Sequence, residues 1–121
     1  MYRLVLVAAA ATAACSQTEN NRPLELAYIT EAILQPYCSQ SVCHSSYKME
    51  YGYSFDTVEA SRRSIKDHSL VQPGDSGGSL LYNVLIRSKK RMPYDAPLQE
   101  KDIELIKDWI DGGAVGLEAA Q

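Results

Sequence analysis

Cys38-Ser39-Gln40-Ser41-Val42-Cys43-His44 decides how the rest of this chain is read. Two thiols followed at once by an imidazole can hold a c-type haem, the thiols as thioethers and the imidazole on the iron. The usual attachment signature has two residues between the cysteines; here there are four. A group of that size also bears on the fold, because long loops in a small domain need something to pack against. The same spacing has a plainer reading as a Cys38–Cys43 disulfide closing a small loop. A zinc site is weaker, since only His68 is left to join Cys38, Cys43 and His44 as a fourth ligand.

Helical periodicity surrounds this stretch. Upstream, Leu24, Ala27, Tyr28, Ile33 and Leu34 recur at helical spacing, with Pro23 suited to the first turn and Pro36 marking the end of a helix that runs into Cys38. Downstream, the Tyr- and Ser-rich residues 45–54 read as loop, and Asp56 can cap a short helix carrying Val58, Ala60 and Ile65. Pro73-Gly74-Asp75 makes a turn, after which Leu80, Leu81, Val84 and Leu85 form the apolar face of a third helix. The clearest helix lies between Leu98 and Asp111. Ile103, Ile106 and Ile110 form its stripe, Leu105 and Trp109 broaden it, and Gly112-Gly113 ends it cheaply. Trp109 reads as core, with lining of a haem as its second role. No stretch alternates long enough to be a strand. The expected fold is all-α, three to five helices joined by long loops that need something such as a haem to pack against.

The 121 residues allow one small domain. Residues 1–15, with Arg3, the apolar run Leu4 to Ala11 and small residues before Cys15, read as a secretory signal peptide, too short for a comfortable membrane span. The same small residues resemble a lipoprotein signal in which Cys15 takes the lipid anchor. Thr12 stands where such signals carry an aliphatic residue, so lipidation and ordinary cleavage both remain open. Residues 16–22 are polar and read as a flexible tether, and 23–121 as the folded domain. An exported protein in the periplasm or cell envelope, membrane-anchored if Cys15 is lipidated, would meet an oxidising environment. There Cys38 and Cys43 would not stay free, so they are bridged or joined to something. A formal charge of −3 argues against nucleic-acid binding, which favours a basic domain.

Haem chemistry also asks for a distal ligand. Met92 is the leading candidate, because Pro93 disfavours helical geometry at the residue before it and holds Met92 extended. Met49 and His68 are its rivals.

Taken in order, these motifs resemble the small c-type cytochrome domains of the planctomycete and myxobacterial kind. The likeness rests on a helix ending at Cys38…Cys43-His44, on Pro73-Gly74-Asp75 followed by Ser79-Leu80-Leu81, on Met92-Pro93, and on Trp109-Ile110-Asp111-Gly112-Gly113-Ala114. It spans roughly Leu24 to Leu117. Two positions differ: the cysteines are four residues apart, and Tyr94 stands where a second proline is usual. The resemblance implies an all-α, cytochrome c-like fold wrapped around one haem, a class-I-like monohaem domain that carries single electrons between redox partner proteins and is not itself an enzyme. Cys38 and Cys43 would be its haem c anchors, His44 its proximal ligand and Met92 its distal ligand. The competing expectation is a haem-free envelope domain of the same fold, stapled by Cys38–Cys43 and serving as a binding or structural module.

Two further features point elsewhere. Gly74-Asp75-Ser76-Gly77-Gly78 reads like the nucleophile loop of chymotrypsin-type proteases, and His44, Asp56 and Ser76 occur in that triad's order. Such enzymes need two β-barrels and about twice this length, so the run is expected to be a turn leading into the third helix. Arg87, Lys89, Lys90 and Arg91 precede Met92; they read as a docking patch for an acidic redox partner, as charge partners for haem propionates, or as a solvated loop.

Overall fold

The computed structural model describes residues 21–40 and 43–118. The signal 1–15 with Cys15, residues 16–20 of the tether, Ser41, Val42 and residues 119–121 lie outside the described residues. Among those described, the chain is helical and forms no strand, only an isolated pairing of Gln72 with Asp75. The coarse expectation of an all-α domain holds. No described helix is long and apolar enough to cross a membrane.

Helix α1 covers Leu26–Ile29 and passes without a break into a wider π-helical segment, Thr30–Cys38. Pro36 does not end it, contrary to expectation. Proline lacks an N–H and its ring crowds the carbonyl four residues back; the wider winding bonds five residues back instead, which accommodates Pro36 inside the segment. The start is displaced as well. Leu26 N–H donates to the Val115 carbonyl at 3.0 Å, so the C-terminal residues set where the helix begins. Gly116, at φ +86, lies so close that a Cβ there would sit 3.2 Å from Leu26 Cβ. The buried stripe is therefore Leu26, Ile29, Ile33 and Leu34, while Leu24 and Ala27 face solvent.

Helix α2, Val58–Asp67, is capped by Thr57, whose hydroxyl accepts from Ala60 N–H at 3.0 Å. Asp56, the expected cap, is engaged elsewhere. Helix α3, Leu80–Ile86, buries Leu81 and Leu85 but leaves Leu80 exposed. Helix α4, Glu100–Asp111, buries Leu105, Ile106, Trp109 and Ile110, and Gly113 leaves it at φ +103. Trp109 is core: its indole N–H donates to the Val115 carbonyl at 3.0 Å.

The Gly74–Gly78 run is a turn between α2 and α3. Gly74 N–H donates to the Ile110 carbonyl and Ser76 N–H to the Asp111 carboxylate, which ties the turn to the end of α4. Asp75 accepts from Gly78 N–H at 3.0 Å. At the other end, Arg22 pairs with the nearly buried Asp102 at 2.7 Å, so the last residue of the polar tether is already held by the fold.

Candidate cofactor cavity

Four segments meet around one cavity of about 320 Å³. The π-helical segment brings Tyr37 and Cys38; the loop after it brings Gln40, Cys43 and His44. A short turn at Glu50–Gly52 adds Glu50 and Tyr51, and the connection from α3 to α4 adds Met92, Pro93, Tyr94 and Asp95. All four expected site residues, Cys38, Cys43, His44 and Met92, thus line the same space. The two rival distal ligands do not. Met49 and His68 line a second, smaller cavity of about 130 Å³ with Ser64 and Asp67.

Local hydrogen bonds shape the cysteine loop. Cys43 N–H donates to the Gln40 carbonyl at 2.8 Å, and His44 N–H to the Cys38 carbonyl at 3.0 Å. Asp56 clamps both shoulders of the loop, accepting from the Ser39 hydroxyl and from Ser46 N–H at 2.6 Å. These bonds, led by the one from Ser39, hold its carboxyl below the usual aspartate range. Met92 is set by its own backbone, whose N–H donates to the Val84 carbonyl at 2.8 Å.

The His44 ring is fixed on several sides. Its Nδ1 lies 2.9 Å from the Glu50 carbonyl oxygen; a carbonyl only accepts, so Nδ1 carries the proton. Burial lowers the histidine's pKa and favours the neutral ring. A neutral ring protonated at Nδ1 has its lone pair at Nε2, the arrangement that metal-ligating histidines use. Tyr53 and Phe55 pack against the ring at 5.4 and 5.5 Å between centroids.

Cys38 and Cys43 are unbridged. Burial, helped by the neighbouring Cys43 thiol, pushes Cys38 up to about 12, so at neutral pH it is a thiol. Zinc needs deprotonated thiolates within about 2.3 Å of one ion. No three His, Cys, Asp and Glu side chains among the described residues are placed to share an ion, and His68 lies on the other cavity. A porphyrin makes a different demand, since it spreads its anchoring carbons away from its iron. The cavity is at the lower end of the range for ligand sites, about 300 to 1,000 Å³. A porphyrin would therefore be enclosed only in part, with an edge in solvent. With that edge outside, the donor set fits the group.

The triad order His44, Asp56, Ser76 is not a triad in space. His44 bonds to Glu50, Asp56 to Ser39 and Ser46, and Ser76 is buried in its turn. The basic residues Arg87, Lys89, Lys90 and Arg91 are exposed just before Met92, with Arg87 Nε donating to the Lys90 carbonyl at 2.8 Å.

Comparison with known protein families, characterised proteins and solved structures gives no match.

Proposed function

We propose that this chain is an exported monohaem cytochrome of the c type, which carries single electrons between redox partner proteins and does not transform a substrate. The observation that carries this reading is the meeting of Met92 with Cys38, Cys43 and His44 around one cavity, although Met92 arrives from a different part of the chain. Two thiols, an imidazole and a thioether are the groups that a haem c needs. Bound there, the haem would supply a one-electron ferric/ferrous couple.

The chain's own residues would do the rest. Cys38 and Cys43 would anchor the group as thioethers, with Cys38 protonated and slow to form a disulfide until then. His44 would present Nε2, oriented by its bond to Glu50 and by the Tyr53 and Phe55 rings. Met92 would present a soft sulfur on the facing loop, which favours ferrous iron relative to a second imidazole. Tyr37, Tyr51 and Tyr94 would screen the exposed edge. In this reading the mature protein sits in the periplasm or on a membrane face, anchored through Cys15 if that residue is lipidated.

Intact mass in denaturant, on protein made in a host with a c-type maturation system, tests the reading. One haem above the mature polypeptide mass is expected. A mass showing only a Cys38–Cys43 disulfide would overturn it in favour of a haem-free envelope domain.

A further inference from the structure

We propose that Tyr53 couples the cavity to a second electron-exchange face at His68, so that the domain can pass electrons through two faces. This rests on the cytochrome reading and adds a route that does not use the cavity mouth. Three rings stand in series. The His44 and Tyr53 centroids are 5.4 Å apart, and those of Tyr53 and His68 are 4.7 Å apart, edge-on at 70°. Both spacings are those of rings in packing contact. His44 lines the larger cavity, whereas His68 is exposed and lines the smaller one with Met49, Arg63 and Asp67. The Tyr53 ring thus lies between the expected iron ligand and a separate surface.

Tunnelling weakens steeply across gaps and much less through packed atoms, and this contiguous row offers a path from His44 toward that side. The other rings near His44 do not offer it. Phe55 packs edge-on at 5.5 Å but is buried and leads into the core. Tyr51 is 6.4 Å from Tyr53 and lines the cavity that His44 already lines. The transfer is one electron in either direction: a partner docked at His68 is oxidised as the iron is reduced, or the reverse. No bond is made or broken and no proton moves.

The haem-loaded protein provides the test. The chain has two histidines, and with His44 on the iron a ruthenium polypyridyl photoreductant can be attached at His68. A flash then injects one electron, and transient absorbance reads reduction of the haem. Tyr53→Phe, which keeps the ring, should match the unsubstituted protein. Tyr53→Leu should slow reduction from the His68 label several-fold relative to reduction of the same variant by an untethered photoreductant, which reports the haem itself. A second comparison leaves Tyr53 in place: an Asp67→His, His68→Ala double variant moves the label one residue off the ring contact and should also slow reduction. Proton NMR of the ferrous protein should show cross-peaks between the Tyr53 and His68 rings. Unchanged rates in Tyr53→Leu or in the relocated label would overturn the route while leaving the cytochrome reading intact. Failure of that reading is distinct, because haem absorbance would be missing before any flash.

Discussion

The Nδ1 of His44 lies 2.9 Å from the carbonyl oxygen of Glu50. Glu50 is flanked by two residues in the left-handed region, Met49 at φ 46 and Tyr51 at φ 56. Non-glycine residues there cost free energy that the surroundings must offset. The cysteine loop is tied to the same residue, since Glu50 N–H donates to the Cys43 carbonyl at 3.0 Å.

From this contact follows a titration. In haem-free protein, His44 should titrate below the usual histidine value of about 6.5, because burial disfavours its charged form. The unfolded chain then binds a proton first as pH falls. Stability from the neutral ring is present above the unfolded pKa and is lost as pH falls through that value toward the folded one. Nitrogen-15 NMR should report the Nδ1–H tautomer. A normal or raised pKa, or the Nε2–H tautomer, would contradict the arrangement.

The clamp at Asp56 is a second target. Its carboxylate joins Ser39 to Ser46 across the cysteine loop, and a half-exposed charged acceptor of this kind contributes about 1 kcal/mol after screening. Asp56→Ala should lower stability by that order at neutral pH. Its pKa is lowered, so the contribution is present above the unfolded value and is lost as pH falls through the folded one. Denaturant midpoints of the two proteins should therefore converge in acid. A constant gap across pH would show that the ionised carboxylate is not what matters.

Sequence periodicity made α4 legible because Leu105, Ile106, Trp109 and Ile110 recur at helical spacing on a helix that ends in glycines. It misplaced the face of the first helix. Leu26 and Ile29 are buried because Val115 and Gly116 pack on that end, a contact between distant residues that local spacing does not encode. The site divides in the same way. Cys38, Cys43, His44 and Met92 could be singled out by side-chain chemistry, whereas the Glu50 contribution is a main-chain carbonyl, which any residue supplies. Asp56 was open to two roles, and Thr57 next to it takes the cap. Nothing in the Tyr- and Ser-rich residues 45–54 distinguishes Tyr53 from its neighbours; its place comes from the rings on either side.

Asp111 should contribute to stability into the acid range. Lys107 at 2.9 Å and the Ser76 N–H at 2.9 Å hold its carboxyl down to about 2. Its contribution is complete above the unfolded aspartate value of about 3.9 and is lost as pH falls toward about 2. Asp111→Asn should be less stable than the unsubstituted chain at pH 5 and indistinguishable from it near the lower value. Melting curves across that window decide; equal melting temperatures at pH 5 would rule the contribution out.

Reactivity distinguishes Cys38 from an ordinary exposed thiol. With its pKa pushed up to about 12, little thiolate is present near neutrality, and the thiolate is the nucleophile. In haem-free Cys43→Ser protein, alkylation of Cys38 at pH 8 should be much slower than that of an unfolded control, and should keep accelerating as pH rises beyond 9. The raised pKa also means that this group's stabilisation is present below the unfolded value and is lost as pH rises toward about 12. Alkylation as fast as the control would contradict the raised pKa.

In the proposed cytochrome, Met92 would decide what kind of carrier the domain is. It shares the cavity with His44, whereas Met49 and His68 lie together on the other one. Oxidised haem-loaded protein should therefore show the weak near-infrared sulfur-to-iron band, and Met92→Ala should abolish it while the covalent haem remains. The reduction potential should fall in the same variant, because water or an imidazole replaces a ligand that favours ferrous iron. Met49→Ala and His68→Ala should leave both band and potential in place. Loss of the band in Met49→Ala alone would mean that the turn at residues 49–52 swings its thioether to the iron. A spectral change in His68→Ala alone would instead mean bis-histidine ligation, with the domain working at a lower potential.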